Sequence, residues 1–494
     1  MRAREQVEDG KWLSSPDFPW LVMLLALLGM VYLPCLMVRY AFMDDYALLY
    51  EARENFWQIL SVFLAGGRPF FGYPVTFLYS QIATVDNLWI MRLIGLIGLE
   101  CLAVFLFWFA NRSGWSRLGA FILSAGVLTL PAWTIYVSWA ICCLFGFAWV
   151  IAGIAVALLD DSWQFQSVSG RAARAITSVV LIVFALFTYQ PAACAIWFFF
   201  VAYLFGKEKS VSLEIRCFVR VALCFLVACG VFYLLFKMYG RMQPRAALDT
   251  NFLSKLIWFF KEVVPRGFSF GWLGLPDKIC RRTELVLVGA TLVVLRYKDN
   301  IGRLITIAAL LPCCLVLGFT ASIVSSGQWP TFRSTVVVYS IVFVILAFVL
   351  VEILQFLSSR PIAQKAAAGL FVFAVCALAA FNLNHYVVYP QVTELAMVTS
   401  QVRRTDFNDV NRILVVPALD QDSVAGRVFF DEFGQPSTAK PWVWQPIVRL
   451  VMKKVFPQSY ERLKQIPIAV DSTGIPSGDP HVRIFNFHEL QMVR

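Results

Sequence analysis

Apolar runs of about 18 residues or more recur between Leu21 and Val388, interrupted by short clusters of Lys and Arg. Each run is long enough to cross a ~30 Å hydrocarbon core. The pattern predicts about eleven membrane helices, at 19–38, 87–110, 118–135, 138–159, 174–189, 191–206, 217–237, 283–296, 303–323, 334–356 and 366–388. The third, fifth and eighth are short. Backbone polar groups inside lipid must be satisfied within the segment, so a polytopic all-α protein is the architecture these runs allow.

The basic residues divide the loops into two sets. One set holds Arg112 and Arg117; Arg171 and Arg174; Lys207, Lys209, Arg216 and Arg220; Arg296, Lys298 and Arg303; and Arg360 and Lys365. The short turns on the opposite side, near Pro131–Trp139 and Thr188–Pro191, carry no Lys or Arg. This asymmetry predicts a cytoplasmic N-terminus and a C-terminus outside. Met1–Lys11 mixes both charge signs and no small-residue cleavage site follows Trp20–Val38, so that stretch reads as the first membrane helix rather than a signal peptide.

Three stretches on the outer side lie between or beyond the runs. In 39–86, DDYALLYEARENFWQIL has helical amphipathic spacing and GGRPFFGYP reads as a Gly/Pro turn. In 239–282, NFLSKLIWFFKEVV reads as an amphipathic helix in the interface. The third, 389–494, has ordinary soluble composition, with strand-like NRILVVPA and HVRIFNFHEL around helix-like QPIVRLVMKKVF. It predicts a small α/β domain on the outer face, after a membrane domain over 1–388.

Composition agrees. The 494 residues are 59% hydrophobic and 15% charged, against about 25% charged in soluble chains. The net charge of +11 follows from the basic loops rather than from a nucleic-acid surface. Eleven of the twelve cysteines fall in or beside apolar runs; Cys280 stands in a loop. No CxxC occurs and there are three histidines, so neither a disulfide framework nor a metal centre is indicated.

Polar residues beside the bilayer then mark the candidate chemistry. Asp44 and Asp45 follow the first helix directly. Adjacent carboxylates repel, which raises the pKa of one, and a raised carboxylate can act as a general base. The other reading is that both cap the interfacial helix. Arg68, between glycines and proline, suits phosphate, or snorkels to headgroups. Arg333 begins the tenth helix and needs an anion, either a carboxylate or a lipid phosphate. Tyr189 and Gln190 stand at a tight turn, where Gln190 either binds a sugar or phosphate or merely ends a helix. Glu100 is an intramembrane acid, functional or paired within the bundle. Arg241, Arg245, Lys255, Lys261, Arg266, Lys278, Arg281 and Arg282 make a basic outer loop that suits lipid-linked phosphate or simple headgroup attraction. Trp442 and Trp444 read as core, with sugar stacking as the other reading.

FMDDYALLYE at the end of the first helix, GGRPFFGY about twenty residues later and a turn reading TYQPA together resemble the Gtr-type integral-membrane glucosyltransferases that modify bacterial O-antigen, within the wider GT-C glycosyltransferase superfamily. FFDEFGQPST resembles a segment near the C-terminus of further members. The resemblance implies a GT-C-like fold in the bacterial inner membrane and a donor of undecaprenyl-phosphate glucose. It implies an acceptor hydroxyl on a cell-surface or lipid-linked polysaccharide, with a flippase and a donor-synthesising enzyme as partners. Asp44 or Asp45 would take the acceptor proton, and Arg68 and Arg333 would stabilise the leaving phosphate in a single inverting displacement. No cofactor is expected, since two adjacent aspartates make a poor metal site. The competing reading is a transporter or flippase of lipid-linked sugars. It would favour internal repeats and mid-membrane charges, whereas the polar candidates here gather at one face.

Overall fold

The computed structural model describes residues 16–160, 168–206, 210–239, 249, 251–298, 301–328, 330–357, 360–430, 432–470, 479 and 481–488. Met1–Lys11, Arg241, Arg245, Lys207 and Lys209 lie outside them.

The helices run in order α1 (Phe18–Met37), α2 (Asp44–Glu51), α3 (Phe56–Ala65), α4 (Pro69–Gln81), α5 (Trp89–Ser113), α6 (Arg117–Val127), α7 (Pro131–Ser138), α8 (Phe145–Leu159), α9 (Val168–Thr188), α10 (Gln190–Ala193), α11 (Ile196–Leu204) and α12 (Val211–Tyr239). They continue as α13 (Phe252–Trp258), α14 (Val264–Gly267), α15 (Asp277–Lys298), α16 (Ile301–Gly318), α17 (Thr320–Val324), α18 (Phe332–Leu357), α19 (Pro361–Leu383), α20 (Tyr389–Arg404), α21 (Trp444–Val455) and α22 (Tyr460–Leu463).

All eleven predicted runs are helical. Among the described residues, eight helices are long and apolar enough to span a membrane. α6 and α7 pass the same test only when taken together, and they bend 61° apart, as in a broken span or a re-entrant loop. The bend has local causes. Thr129 Oγ1 donates to the Ala125 and Gly126 carbonyls, and Pro131 has no N–H to continue the ladder. The segment Gln190–Leu204 is apolar but shorter, and α15 is too charged to pass the same test. Cys280, expected in a loop, is buried within α15.

The outer stretch 39–86 is more structured than its pattern suggests. DDYALLYEARENFWQIL is two helices, α2 and α3, because the polar run Arg53–Asn55 carries no apolar face to continue. Only Gly66–Arg68 is a turn; Pro69 opens α4 at a position where a missing N–H costs nothing. Gly67 turns at φ +71°, with Phe232 and Phe236 where a side chain would stand.

α18 is the most enclosed of the eight long apolar helices. Gly126 of α6 lets it approach, since a Cβ there would collide with the Phe343 ring. Beyond the membrane, α19 does not stop at residue 388. It passes through a π-turn at Asn384–Val388 into α20. The outer domain adds a parallel three-stranded sheet, β1 (Arg412–Val416) between β2 (Ile468–Val470) and β3 (Val482–Asn486). The two strand-like and one helix-like motifs become β1, β3 and α21; β2 is short and was not predicted. The domain is tied to the 39–86 stretch by Lys454–Asp86 at 2.7 Å and Lys464–Glu54 at 3.0 Å.

Candidate functional site

At the end of the bundle where α1 and α19 leave the membrane and α18 enters it, the chain gathers its polar side chains. The two aspartates there are in different situations. Met43 takes a left-handed φ of 44°, rare for a side chain with a Cβ, and its N–H donates to Ser437 Oγ at 2.9 Å. The chain thereby reverses into α2 with both acids in its first turn. Among the described residues neither carboxylate accepts an N–H of α2, but both stand in its first turn, where an acid meets the positive end of the helix dipole as the capping reading expects.

Asp45 is wholly buried. Its Oδ1 accepts from Tyr79 Oη at 2.5 Å and Ile141 N at 3.3 Å, and its Oδ2 accepts from Phe42 N at 3.0 Å. Arg92 of α5 stands 4.0 Å from Oδ2. That guanidinium is itself buried, donating to the carbonyls of Ser138 and Tyr40 and lying over the Tyr40 ring. Burial pushes the Asp45 carboxyl up to about 6, against the pull of Arg92 and the Tyr79 hydrogen bond. Asp45 thus fastens α2, α4, α5 and the turn between α7 and α8 together, and it has no open side.

Asp44 is half-buried, and its Oδ1 accepts from Trp442 Nε1 at 2.8 Å. Burial raises its pKa; the nearby charges of Arg333 and Lys440 and the Trp442 bond oppose the rise. Trp442, expected in the core, is 48% exposed and stands at this acid.

Arg333, in the first turn of α18, faces Asp44. Its Nε donates to Glu432 Oε1 at 2.5 Å and its guanidinium lies 4.1 Å over the Trp139 ring. Glu432 is buried and also accepts from Phe332 N at 2.8 Å. Burial raises its pKa, and Arg333 opposes that. Tyr136 Oη donates to the Arg333 carbonyl at 2.9 Å.

Arg68, Tyr189 and Gln190 come together. Arg68 Nε donates to Gln190 Oε1 at 3.0 Å, and its guanidinium lies 5.0 Å from the Tyr189 ring centre. Gln190 Nε2 donates to the carbonyls of Gly66 and Gly67, so it holds the turn that carries Arg68. Tyr189 is fixed by stacking on Phe145 at 3.9 Å. Burial lowers the Arg68 pKa, and after a favourable contribution from Tyr189 the like charge of Arg333 lowers it further. Two cations close enough to feel each other favour an anion beside them.

Glu100 stands apart. It lies against Gly29 of α1, eight residues beyond Arg92, or about 12 Å along α5. The outer basic residues also disperse. Lys255 is buried against Asp249 at 3.2 Å and the Ser325 carbonyl, Arg266 lies over Phe430 at 4.6 Å, and Arg281 donates to the Lys261 carbonyl.

Sequence reasoning missed Glu432, Trp139, Arg92 and the clamp that holds residues 435–438. In that clamp Glu394 of α20 accepts from Ser437 N at 2.9 Å and Thr438 N at 2.8 Å, while Gln391 Nε2 donates to the Gln435 carbonyl at 2.8 Å. Ser437 Oγ bridges Gln391 and Met43. The residues of GQPST are thus fixed between α20 and the turn that presents Asp44. A lone Arg within an apolar run was the available signal for Arg92. Among the described residues no three His, Cys, Asp or Glu side chains converge as metal ligands would.

No protein-family model and no curated protein matches the chain. Among solved structures, the crystal structure of ArnT from Cupriavidus metallidurans bound to undecaprenyl phosphate is similar over 91% of this chain and 90% of that one, at 13% identity and a TM-score of 0.41.

Proposed function

We propose that the protein is a membrane glycosyltransferase that moves a sugar from a polyprenyl-phosphate donor to a hydroxyl of a surface or lipid-linked polysaccharide. The reaction takes place on the outer face of the bacterial inner membrane. One observation carries the reading. A half-buried carboxylate with a raised pKa, Asp44, lies within electrostatic reach of Arg333, and Arg333 lies within electrostatic reach of Arg68. The motif resemblance to the Gtr-type enzymes supports it and gives glucose as the expected sugar.

In this reading Asp44 takes the proton of the acceptor hydroxyl. Its raised pKa suits the role, because a base poised nearer the working pH transfers protons more effectively. The hydroxyl oxygen attacks the anomeric carbon, the bond to the phosphate oxygen breaks, and polyprenyl phosphate leaves with inversion. Arg68 and Arg333 meet the charge that develops on that phosphate from fixed positions, so little reorganisation is needed when it appears. Trp442 orients the base through its indole N–H. Asp45 is the positioning residue: enclosed by four partners, it sets the start of α2 and does not touch substrate. The reading takes no metal.

Sugar transfer in membranes tests this, with radiolabelled polyprenyl-phosphate glucose as donor and the host polysaccharide as acceptor. Asp44→Asn at matched expression should lower transfer by about 10²- to 10⁴-fold. Undiminished transfer would remove Asp44 as the base. Wild-type protein inactive with a panel of lipid-linked sugars would remove the transferase reading.

A further inference from the structure

Outside the site just described, a groove of about 580 Å³ opens on the chain. That lies within the range of small-ligand sites, about 300–1,000 Å³. One wall comes from the segment entering α18, with Gln328 and Thr331; the other comes from the outer domain, with Asp420, Gln421, Arg427 and Phe430. Both walls lead into the candidate site. Thr331 is two residues before Arg333, and Phe430 two before Glu432, the residues whose side chains pair at 2.5 Å.

The groove is built rather than incidental. Thr331 is buried and organises the start of α18, exchanging hydrogen bonds with Ser334 and accepting from Thr335 Oγ1 at 2.9 Å. Phe430 stands at φ +52°, a conformation that a residue with a Cβ rarely adopts. It is held there by the tight turn in which Phe429 N donates to the Phe433 carbonyl at 2.8 Å. The same turn sets the Phe430 ring edge-on to Phe332 at 5.3 Å and over the Arg266 guanidinium. Asp420 is oriented by Gln435 Nε2, which donates to its Oδ1 at 2.7 Å. Arg427 is exposed and has no hydrogen-bonded partner among the described residues.

The lining has a definite chemical character. Carboxylate, carboxamide and guanidinium are planar groups that donate or accept in fixed directions, and adjacent hydroxyls of a sugar can satisfy two such positions at once. The aromatic ring offers an apolar face for the C–H side of a pyranose. Acid and base stand together, so the groove does not select an anion. It lies on the extramembrane part of the chain, not where an isoprenoid tail would enter. We infer that the groove between residues 328–331 and 420–430 is the subsite for the acceptor, an oligosaccharide segment rich in adjacent hydroxyls, and that it delivers the reacting hydroxyl toward Asp44 past the Arg333–Glu432 pair. The inference rests on the glycosyltransferase reading and names the site of its second substrate.

The test uses Arg427→Ala and Gln421→Ala on one wall and Gln328→Ala on the other, in full-length protein in nanodiscs. Two readouts are taken. The first is transfer with the acceptor polysaccharide and the polyprenyl-phosphate glucose donor titrated separately. The second is equilibrium binding of the purified host polysaccharide without donor. Each variant should raise the acceptor KM about tenfold, leave the donor KM unchanged and weaken polysaccharide binding in parallel. Unchanged acceptor KM and binding in all three would overturn the groove while leaving the transferase reading intact. Wild-type protein that binds the polysaccharide through this groove yet transfers nothing would keep the groove and overturn the transferase reading. Wild-type protein that neither binds nor transfers would overturn both.

Discussion

Each end of the helical bundle holds a buried arginine–carboxylate pair, and the two are built differently. At the end with the basic loops, Arg303 Nε donates to Glu214 Oε1 at 3.0 Å and its Nη2 to the Leu204 carbonyl at 2.8 Å; both side chains are almost wholly enclosed. At the other end Arg333 meets Glu432 through Nε, stays 27% exposed and lies open toward Asp44. The first pair joins α11, α12 and α16. The second leaves a guanidinium edge available. A buried ion pair is weak evidence of net stabilisation, but breaking one is costly, because the remaining charge stays desolvated. An ion pair by itself therefore does not separate a fastening from a functional group; the exposure of its guanidinium does.

The strongest way to break this comparison is to substitute the two arginines. Arg303→Ala should destabilise the protein by about 3–5 kcal/mol, seen as a lowered melting temperature in detergent, while the surviving protein keeps its donor KM. Arg333→Lys retains a charge for Glu432 and loses the planar fork, so transfer should fall about 10²-fold with little change in melting. An Arg333→Lys protein that melts early yet transfers normally would erase the distinction.

Next in size is a pH effect on the fastening beside the site. The Asp45 carboxyl is held at about 6 in the fold, above its ordinary value. The folded protein therefore binds the proton more tightly than the unfolded chain. Stability is greatest below the ordinary carboxylate range and should decline by up to about 3 kcal/mol as pH rises from about 4 to about 6. Melting followed across that range should show the decline, and Asp45→Asn should flatten it. A slope unchanged in Asp45→Asn would assign it to another group.

Arg68→Ala should raise the donor KM about tenfold and leave the acceptor KM alone, as expected of a cation that meets phosphate in the ground state too. Equal rises in both would mean that the turn has collapsed. The smallest effect is expected from Trp442→Phe, which removes one hydrogen bond to Asp44 and should cost transfer about fivefold. Its acid limb in the pH–rate profile should move upward, because that bond favours the charged carboxylate.

The helices and much of the site could be read from the chain because both leave local signals. Apolar runs identify the spans, and charges at their ends identify Asp44, Asp45, Arg68 and Arg333. The structure brings these together with Tyr189 and Gln190. Glu432 and Glu394 lacked such a signal: each acquires meaning from a partner far away in sequence, Arg333 for one and Ser437–Thr438 for the other. The division of labour between Asp44 and Asp45 was illegible for a related reason. Adjacent on the chain, they differ through what surrounds them, and Arg92 and Tyr79 approach only one. Glu100 shows the reverse case, a strong local signal about 12 Å along its helix from the groups that gather.

The unbroken passage of α19 through its π-turn into α20 has a consequence for reach. Pro361–Arg404 is 44 residues long, about 66 Å of helix, roughly twice the hydrocarbon thickness. Its far half is a rigid post standing on the bilayer. At the π-turn, the Tyr386 carbonyl receives Gly434 N at 2.6 Å, and farther up Glu394 grips Ser437 and Thr438. The post thus fixes the altitude at which Asp44 and the outer domain meet. In the proposed reaction the acceptor would be modified at one set height above the lipid surface. Lengthening the post by a whole turn, between the π-turn and Glu394, would lift the outer domain about 5.4 Å and separate it from α2 without altering a single residue of the site.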